Sequence, residues 1–405
     1  MGMAWTWLKK TWKFIVLMVL IIATFSYAMF QGGFVSWFLF YTFLPFSMYS
    51  LALTFYSLGE VEVRRSIAKS EYNAGEELKV DVIVKRKSSF PLFYLIVEDT
   101  LSEALAASDK RSQAKMLLFP GMKKELAFSY SMKELPRGEH VFHSFKLKTG
   151  DPLGLIEKDK MAKADNKILV FPAVVDVLYQ PFENQFDQGM TASRERVQRD
   201  SSMAIGVREY QPGDRFSWIN WKATAKRDTI MTKEFEQRQS HDVFVVMDCL
   251  PDRRFEAIVS FTASFVKAVL KKGAQIGLLT NSGERESFSI RGGEKQLQTL
   301  HYHLAKIQPQ SSVSLERMVD SESFFMMQSV SAMLITAKLS RDLIEKASAL
   351  HSKKGSITIF LIKAAKESPT TSELSLKALA SARGIRVVLV HEGQFAAAFS
   401  EVNLR

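Results

Sequence analysis

Cysteine is nearly missing from this chain: Cys249 stands alone among 405 residues, so no internal disulfide forms and the fold needs no oxidising compartment. Proline is scarce too, at 11 residues, and with 47% hydrophobic residues this excludes a chain disordered throughout. The sequence has no Walker A run, no dinucleotide-binding glycine pattern, no serine-hydrolase elbow and no kinase signature. If ATP is involved, a partner must hydrolyse it. Zinc finds no ready helix pair either, because His301 and His303 are two apart on a predicted helix and diverge, where zinc takes an i, i+4 pair. Tryptophan is absent outside two places: Trp5, Trp7, Trp12 and Trp37 near the start, and Trp218 and Trp221 near the middle.

What is present divides the chain. The net charge of +11 fits nucleic acid, anionic lipid or an acidic partner. Lys9, Lys10 and Lys13 precede one apolar run, and Arg64 and Arg65 follow another, where a membrane protein concentrates positive charge. Elsewhere bases mix with acids as on a solvated surface, so no nucleic-acid partner is expected.

Two uncharged apolar runs, about 14–30 and 34–58, are long enough to span a bilayer, and a Gln-Gly-Gly link joins them into a transmembrane helical hairpin over 1–59. The flanking charges place both ends in the cytoplasm, giving a two-pass protein of the cell membrane with a cytoplasmic body. From 60 to 178 short runs such as Leu78–Val84, Leu92–Val97, Leu126–Tyr130 and Val141–Leu147 alternate with period two between turn residues, predicting a small antiparallel β-sandwich. Gly150-Asp151-Pro152-Leu153-Gly154 reads as a turn whose role is backbone geometry. Residues 179–239 form a connector followed by a charged and aromatic segment. From 240 to 405 apolar strands alternate with amphipathic helices, predicting a doubly wound α/β domain.

The segment Val207–Lys226, VREYQPGDRFSWINWKATAK, is the densest in chemistry. Its R-E-Y-x-P-G-D and W-x-N-W-K-A-T-A-K runs, with the hairpin, the β-rich region and G-D-P-L-G-L, resemble the bacterial domain-of-unknown-function family fifty-eight. The resemblance implies that the α/β domain is von Willebrand factor A-like. It also implies a non-enzymatic scaffold or adaptor that works with a MoxR-type AAA+ ATPase, and in some cases with a transglutaminase-like membrane protein, in assembling envelope complexes.

Within the signature, Arg208, Glu209, Tyr210, Gly213, Asp214, Trp218, Asn220, Trp221 and Lys222 are the candidate site residues. Three readings compete. An ion-paired clasp between the sandwich and the α/β domain ranks first, because an Arg–carboxylate fork fixes geometry while aromatics exclude water. A partner surface ranks second, since Tyr, Trp and Arg dominate binding hot spots. A cell-envelope hydrolase using Arg208, Glu209 and Asp214 ranks third. Asp248 ends the first α/β strand, where such sheets collect ligands. In von Willebrand factor A domains a metal there is held by an Asp and serines two and four residues on; this chain has Leu250 and Asp252, so the site is expected to be degenerate and metal-free, and no cofactor is expected. Thr280 and Thr336 end later strands, where hydroxyls mostly cap the next helix. Cys249 reads as a buried structural residue, with no histidine identified as its base.

Overall fold

The computed structural model describes residues 2–101, 105, 114–177, 179, 204–211, 214, 216–235, 242–320, 331–354 and 356–397. The chain divides into two compact units, Met1–Phe171 and Pro172–Arg405.

The first unit opens with helices α1 (Gly2–Gln31) and α2 (Phe34–Phe55). Gly32 and Gly33 join them at φ 55° and 148°, angles that a Cβ disfavours, so the tight reversal calls for glycine. Trp12–Gln31 and Phe34–Phe55 are long and apolar enough to cross a membrane, and only 11% and 17% of them is buried, unlike the core helix of a soluble fold. The second helix stops at Phe55, short of the expected Leu58, and a 3-10 turn at Leu58–Glu60 leads into the sheets.

Strands β1 (Val61–Ile67), β3 (Leu78–Arg86) and β6 (Glu125–Met132) pair antiparallel in the order β1-β3-β6. A second sheet runs β2-β8-β7-β4-β5, from β2 (Glu71–Asn73), β8 (Glu157–Phe171), β7 (Gly138–Gly150), β4 (Leu95–Asp99) and β5 (Lys115–Leu118). Period two is plain in β3, where Val80, Val82 and Val84 are buried between exposed or half-buried neighbours. Those valines share one core with Leu95, Val97, Phe142 and Phe145 of the other sheet. The expectation of purely antiparallel strands is corrected at one edge, because β2 pairs parallel with β8.

Arg65 needs a larger correction. It is no flanking charge at the membrane, because its side chain is fully shielded from solvent. Its position in β1 points inward with Val61 and Val63, so the guanidinium enters the core and must find partners there. Asp99 supplies two oxygens at 2.9 and 2.5 Å, and Phe142 and Phe145 pack their rings on its faces at 4.9 and 4.5 Å. Arg64, one residue earlier, is exposed and remains a flanking charge.

The second unit starts at Pro172, earlier than the expected boundary at 178, because residues 172–177 dock on the first α/β helix, α4 (Phe255–Lys271). Ser260 donates to the Ala173 carbonyl at 2.6 Å, the Val175 amide donates to Ser264 at 3.0 Å, and Tyr179 meets Phe265 edge to face. Of residues 102–114 only Leu105 and Ala114 are described, and of residues 179–206 only Tyr179 and residues 204–206, so most of the expected connector lies outside the described residues.

The central sheet of this unit has the order β13-β12-β11-β14-β15-β16. Its strands are β11 (Val243–Met247), β12 (Ile276–Ser282), β13 (Glu284–Arg291), β14 (Ser331–Thr336), β15 (Ile357–Lys363) and β16 (Arg386–His391). All pair parallel except β13, an antiparallel edge strand on β12. The order reverses at β11. Val243, Val245 and Met247 pack against α4 and α5 (Glu294–Lys306) on one face. Phe244 and Val246 pack against α6 (Leu315–Asp320), α7 (Arg341–Lys354) and α8 (Thr371–Ala382) on the other. Burial of alternate residues on opposite faces is what makes this strand read as an unbroken apolar run. The layout is doubly wound.

Candidate functional site

The signature folds on a two-stranded antiparallel sheet of its own, β9 (Ala204–Glu209) paired with β10 (Met231–Phe235). Between them the Asp214 amide donates to the Gln211 carbonyl at 3.0 Å, and the chain takes a 3-10 turn at Phe216–Trp218 and forms the short helix α3 (Trp221–Arg227). Asn220 caps that helix, its Oδ1 accepting the Ala223 amide at 3.2 Å, while its own amide donates to the Met231 carbonyl at 2.8 Å. Thr224 accepts the Met231 amide at 3.0 Å. Ile219 and Met231 are buried beneath these contacts, so the segment has a small core held mainly by backbone groups.

Arg208 and Asp214 meet. The Arg208 Nη2 donates to Asp214 Oδ1 at 2.7 Å, and Asp214 Oδ2 accepts the Gln211 amide at 3.1 Å, so the carboxylate closes the turn as well as holding the arginine. The Asp214 side chain is 8% exposed and that of Arg208 32%, so water reaches one partner. Glu209 and Lys222 are exposed, and Tyr210, Trp218 and Asn220 are half-buried. Gly213 lies outside the described residues. Phe216 and Trp221 are 79% and 70% exposed, with Val207 and Ile230 also open at 40% and 50%. Four apolar side chains left in water on one short hairpin exceed what a segment needs for its own stability. In β10 the Thr232 hydroxyl is buried and finds no hydrogen-bond partner among the described residues.

At the carboxyl end of the central sheet, Asp248 sits beside the strand reversal with 6% exposure. Its Oδ1 accepts the Leu250 amide at 3.0 Å and its Oδ2 accepts the Thr336 hydroxyl at 2.7 Å. Burial raises the Asp248 carboxyl above the usual carboxylate range, more than these two hydrogen bonds lower it. Thr336 thus turns to Asp248, and the cap of the following helix falls to Ser340, which accepts the Leu343 amide. Thr280 instead pairs with His303 Nε2 at 2.8 Å, while His303 Nδ1 faces Glu286 at 3.3 Å and His301 faces the Ala263 carbonyl. Cys249 is buried.

This donor set does not fit a hard cation. Asp248 and Thr336 are bonded to each other, Leu250 offers no side-chain oxygen, and Asp252 is held by Arg254 at 3.0 and 3.2 Å. Among the described residues no three His, Cys, Asp or Glu side chains converge on a metal position.

Sequence reasoning missed a charged network at the same end. Arg254 bridges Asp252 and Glu367, and Lys363, 1% exposed, donates to Glu367 at 2.9 Å and Glu373 at 2.6 Å. Burial works to lower the Lys363 pKa, but the two glutamates outweigh it and hold the ammonium above its ordinary value. Two signals were available: a lysine ending the apolar strand ITIFLIK has to be paired, and Thr370 to Glu373 spells a capping box, which the structure makes in full. Pro251, Asp252, Arg253, Arg254, Ala364 and Glu367 line an open groove of about 610 Å³ over this network.

Comparison with known proteins places the signature and the α/β sheet together. A family model described as "Protein of unknown function DUF58" matches residues 206–402. The chain is 38% identical over 396 residues to the uncharacterized protein YeaD of Bacillus subtilis (strain 168), covering 97% of this chain and 99% of that one. Among solved structures, the CARDB domain of the PF1109 protein from Pyrococcus furiosus aligns with 27% of this chain and 86% of its own, at 10% identity and a TM-score of 0.19. Proximal thread matrix protein 1 from the mussel byssus aligns with 41% of this chain and 46% of its own, at 11% identity and a TM-score of 0.28.

Proposed function

This chain belongs to the DUF58 family, and we propose that it is a membrane-anchored, cytoplasm-facing scaffold or adaptor acting with a MoxR-type AAA+ ATPase on envelope protein complexes. The observation that carries this reading is the exposed aromatic face of the signature, Phe216 and Trp221, on a hairpin whose Arg208 and Asp214 are engaged with each other. Aromatic side chains standing in water beside an arginine already engaged by a carboxylate are the makings of a binding hot spot. Catalysis by the same residues would need a carboxylate within reach of a substrate proton, and Asp214 already accepts from Arg208 and Gln211.

Three further features support the reading. The doubly wound sheet with Asp248 at its reversal suits a von Willebrand factor A-like domain whose metal position has been given over to hydrogen bonds. The two apolar helices suit an anchor in the cell membrane. Lys13 before them and Arg64 after them favour a cytoplasmic body, now without help from Arg65.

The test is binding of the purified, detergent-solubilised chain to the MoxR-type ATPase of its own genome. A Phe216→Ala, Trp221→Ala double variant should lose the complex while keeping its melting temperature. A double variant that binds as the parent does, or a parent chain that does not bind the ATPase, overturns the proposal.

A further inference from the structure

One end of the sandwich carries apolar side chains that no core explains. Phe93, Phe119, Met122 and Leu153 are 52%, 72%, 71% and 42% exposed. They sit together because the loops that bear them are tied together. Leu92 and Gly121 form an isolated antiparallel bridge. The buried Arg86 guanidinium donates at 2.5 Å to the carbonyls of Phe90, Gly121 and Lys123, so one fork fixes both loop tips. The Thr149 hydroxyl donates to the Tyr94 carbonyl at 2.6 Å, bringing the turn after β7, which holds Leu153, to the same end.

The same loops are fastened to the helices. Tyr49 of α2 accepts the Phe93 amide at 3.3 Å and packs edge to face on the Phe93 ring. Ser50 of α2 donates to Asp151 at 2.7 Å, and Lys13 of α1 lies 3.5 Å from the Gly154 carbonyl. One turn, 151–154, therefore touches both helices, which sets their common level. Helix rise of about 1.5 Å per residue puts Lys13 and Ser50 both roughly 25–29 Å from the Gly32–Gly33 turn, close to the ~30 Å depth of a hydrocarbon core. The exposed apolar tips lie at the level where such a core would end. Exposed Lys87, Lys123 and Lys124 stand beside them.

We infer that this end of the sandwich is a lipid-contacting collar, with Phe93, Phe119, Met122 and Leu153 seated at the headgroup–acyl boundary and Lys87, Lys123 and Lys124 against anionic headgroups. The inference rests on the membrane-anchored reading above. Bulky apolar tips flanked by lysines are the composition that binds an anionic bilayer surface, the rings entering the boundary and the ammonium groups meeting phosphate. Acids at this end do not cancel the lysines, since Glu125 pairs with Lys85 and Glu157 with Lys148. The collar also accounts for Arg86, buried at the end of β3, because its guanidinium ties the two tips to each other and so lowers the cost of ordering them at the boundary.

The test uses the full chain in nanodiscs, with Cys249→Ser removing the single cysteine and an environment-sensitive fluorophore placed on single cysteines. Labels at Phe93→Cys and Met122→Cys should be quenched by lipids carrying a nitroxide near the headgroup and shielded from aqueous iodide. A label at Lys133→Cys, exposed at the opposite end of β6, should behave the other way. A label at Ile22→Cys, 62% exposed in α1, reports the anchor through quenching by a nitroxide deep in the acyl chain. If Ile22 is quenched from within the bilayer and Phe93 and Met122 behave like Lys133, the collar is overturned and the anchor stands. If Ile22 is not quenched, the anchor falls and the collar with it. Protection of Phe93 and Met122 from both quenchers would assign the face to a second protein and also overturn the inference. Exchanging anionic for zwitterionic lipid should weaken quenching at Met122 more than at Phe93, and equal quenching removes the role given to the lysines.

Discussion

Arg65 and Asp99 face one another in the core of the sandwich with no solvent on either side chain, joined by two hydrogen bonds and supported by the Tyr130 hydroxyl, which donates to the same carboxylate at 2.5 Å. Burial raises the Asp99 carboxyl above its ordinary value, and Arg65 offsets only part of that rise, so the carboxylate depends on its partner. Arg65→Met alone should destabilise the protein by about 3–5 kcal/mol, because a carboxylate is left buried and unpaired. Arg65→Met with Asp99→Leu should recover most of that loss. Thermal unfolding of the single and double variants checks it, and a double variant no better than the single would show that packing, not charge, dominates here.

This pair marks where the sequence was legible and where it was not. Period two in Leu78–Val84 and the unbroken run Val243–Met247 report local burial, and both strands lie where those patterns put them. Arg65 looked like a membrane flank because charge beside an apolar run is a local signal, while its partner Asp99 is brought to it only by pairing between sheets. The clasp expected at Arg208 and Asp214 had the right chemistry for a buried ion pair, but the fully shielded example of that chemistry is Arg65 with Asp99. Strand β13, ERESFSIR, escaped notice because an edge strand needs little apolar surface and six of its eight residues are exposed. Asp248 was found from its place at a strand end. The Asp252, Arg254, Glu367, Lys363 and Glu373 network was missed because its members come from segments far apart in the chain: the loop before α4, the end of β15 with the loop after it, and the first turn of α8.

The Gly150–Gly154 turn does more than reverse the chain. A Cβ on Gly150 would collide with the Tyr94 hydroxyl and lie 3.0 Å from the Ile156 carbonyl, so a larger residue would have to displace both. Asp151, 3% exposed, accepts both the Ser50 hydroxyl and the Ile156 amide at 2.7 Å. Asp151→Ala should strand two buried donors at a cost of about 1–3 kcal/mol each, and Ser50→Ala should cost less, since it removes one donor with its hydrogen bond. Melting temperatures in detergent rank the two, and Ser50→Ala costing as much as Asp151→Ala would count against the turn as the tie between helix and sheet.

Asp248 makes stability depend on pH in a definite direction. Its folded carboxyl is raised by burial above its ordinary value, so the folded state holds this proton more tightly than the unfolded chain does. That contribution is present in full below the unfolded pKa and is lost as pH rises through the raised folded value. The unfolding free energy of the parent should therefore fall relative to Asp248→Asn as pH climbs above about 4, and level off once the folded carboxyl has ionised. Denaturant titrations of both proteins across that range measure it. A constant difference between them would mean that Asp248 titrates alike in both states. Because its oxygens are already bonded, added Mg²⁺ should leave the parent's melting temperature unchanged.

Arg208 and Trp221 separate holding from binding within one hairpin. With Arg208 32% exposed, solvent screens its pair with Asp214, and Arg208→Ala should cost about 1–2 kcal/mol, less than a sealed pair would. Trp221 is 70% exposed and buries little, so Trp221→Ala should change the melting temperature hardly at all. The two variants should diverge on the partner. Trp221→Ala is expected to lose the ATPase at unchanged stability, whereas Arg208→Ala should weaken the complex only as far as it loosens the turn that presents the aromatics. Calorimetry and pull-down on the same preparations read both quantities. If Arg208→Ala unfolds the protein while Trp221→Ala binds normally, the hairpin is a structural clasp and its exposed aromatics are not the contact.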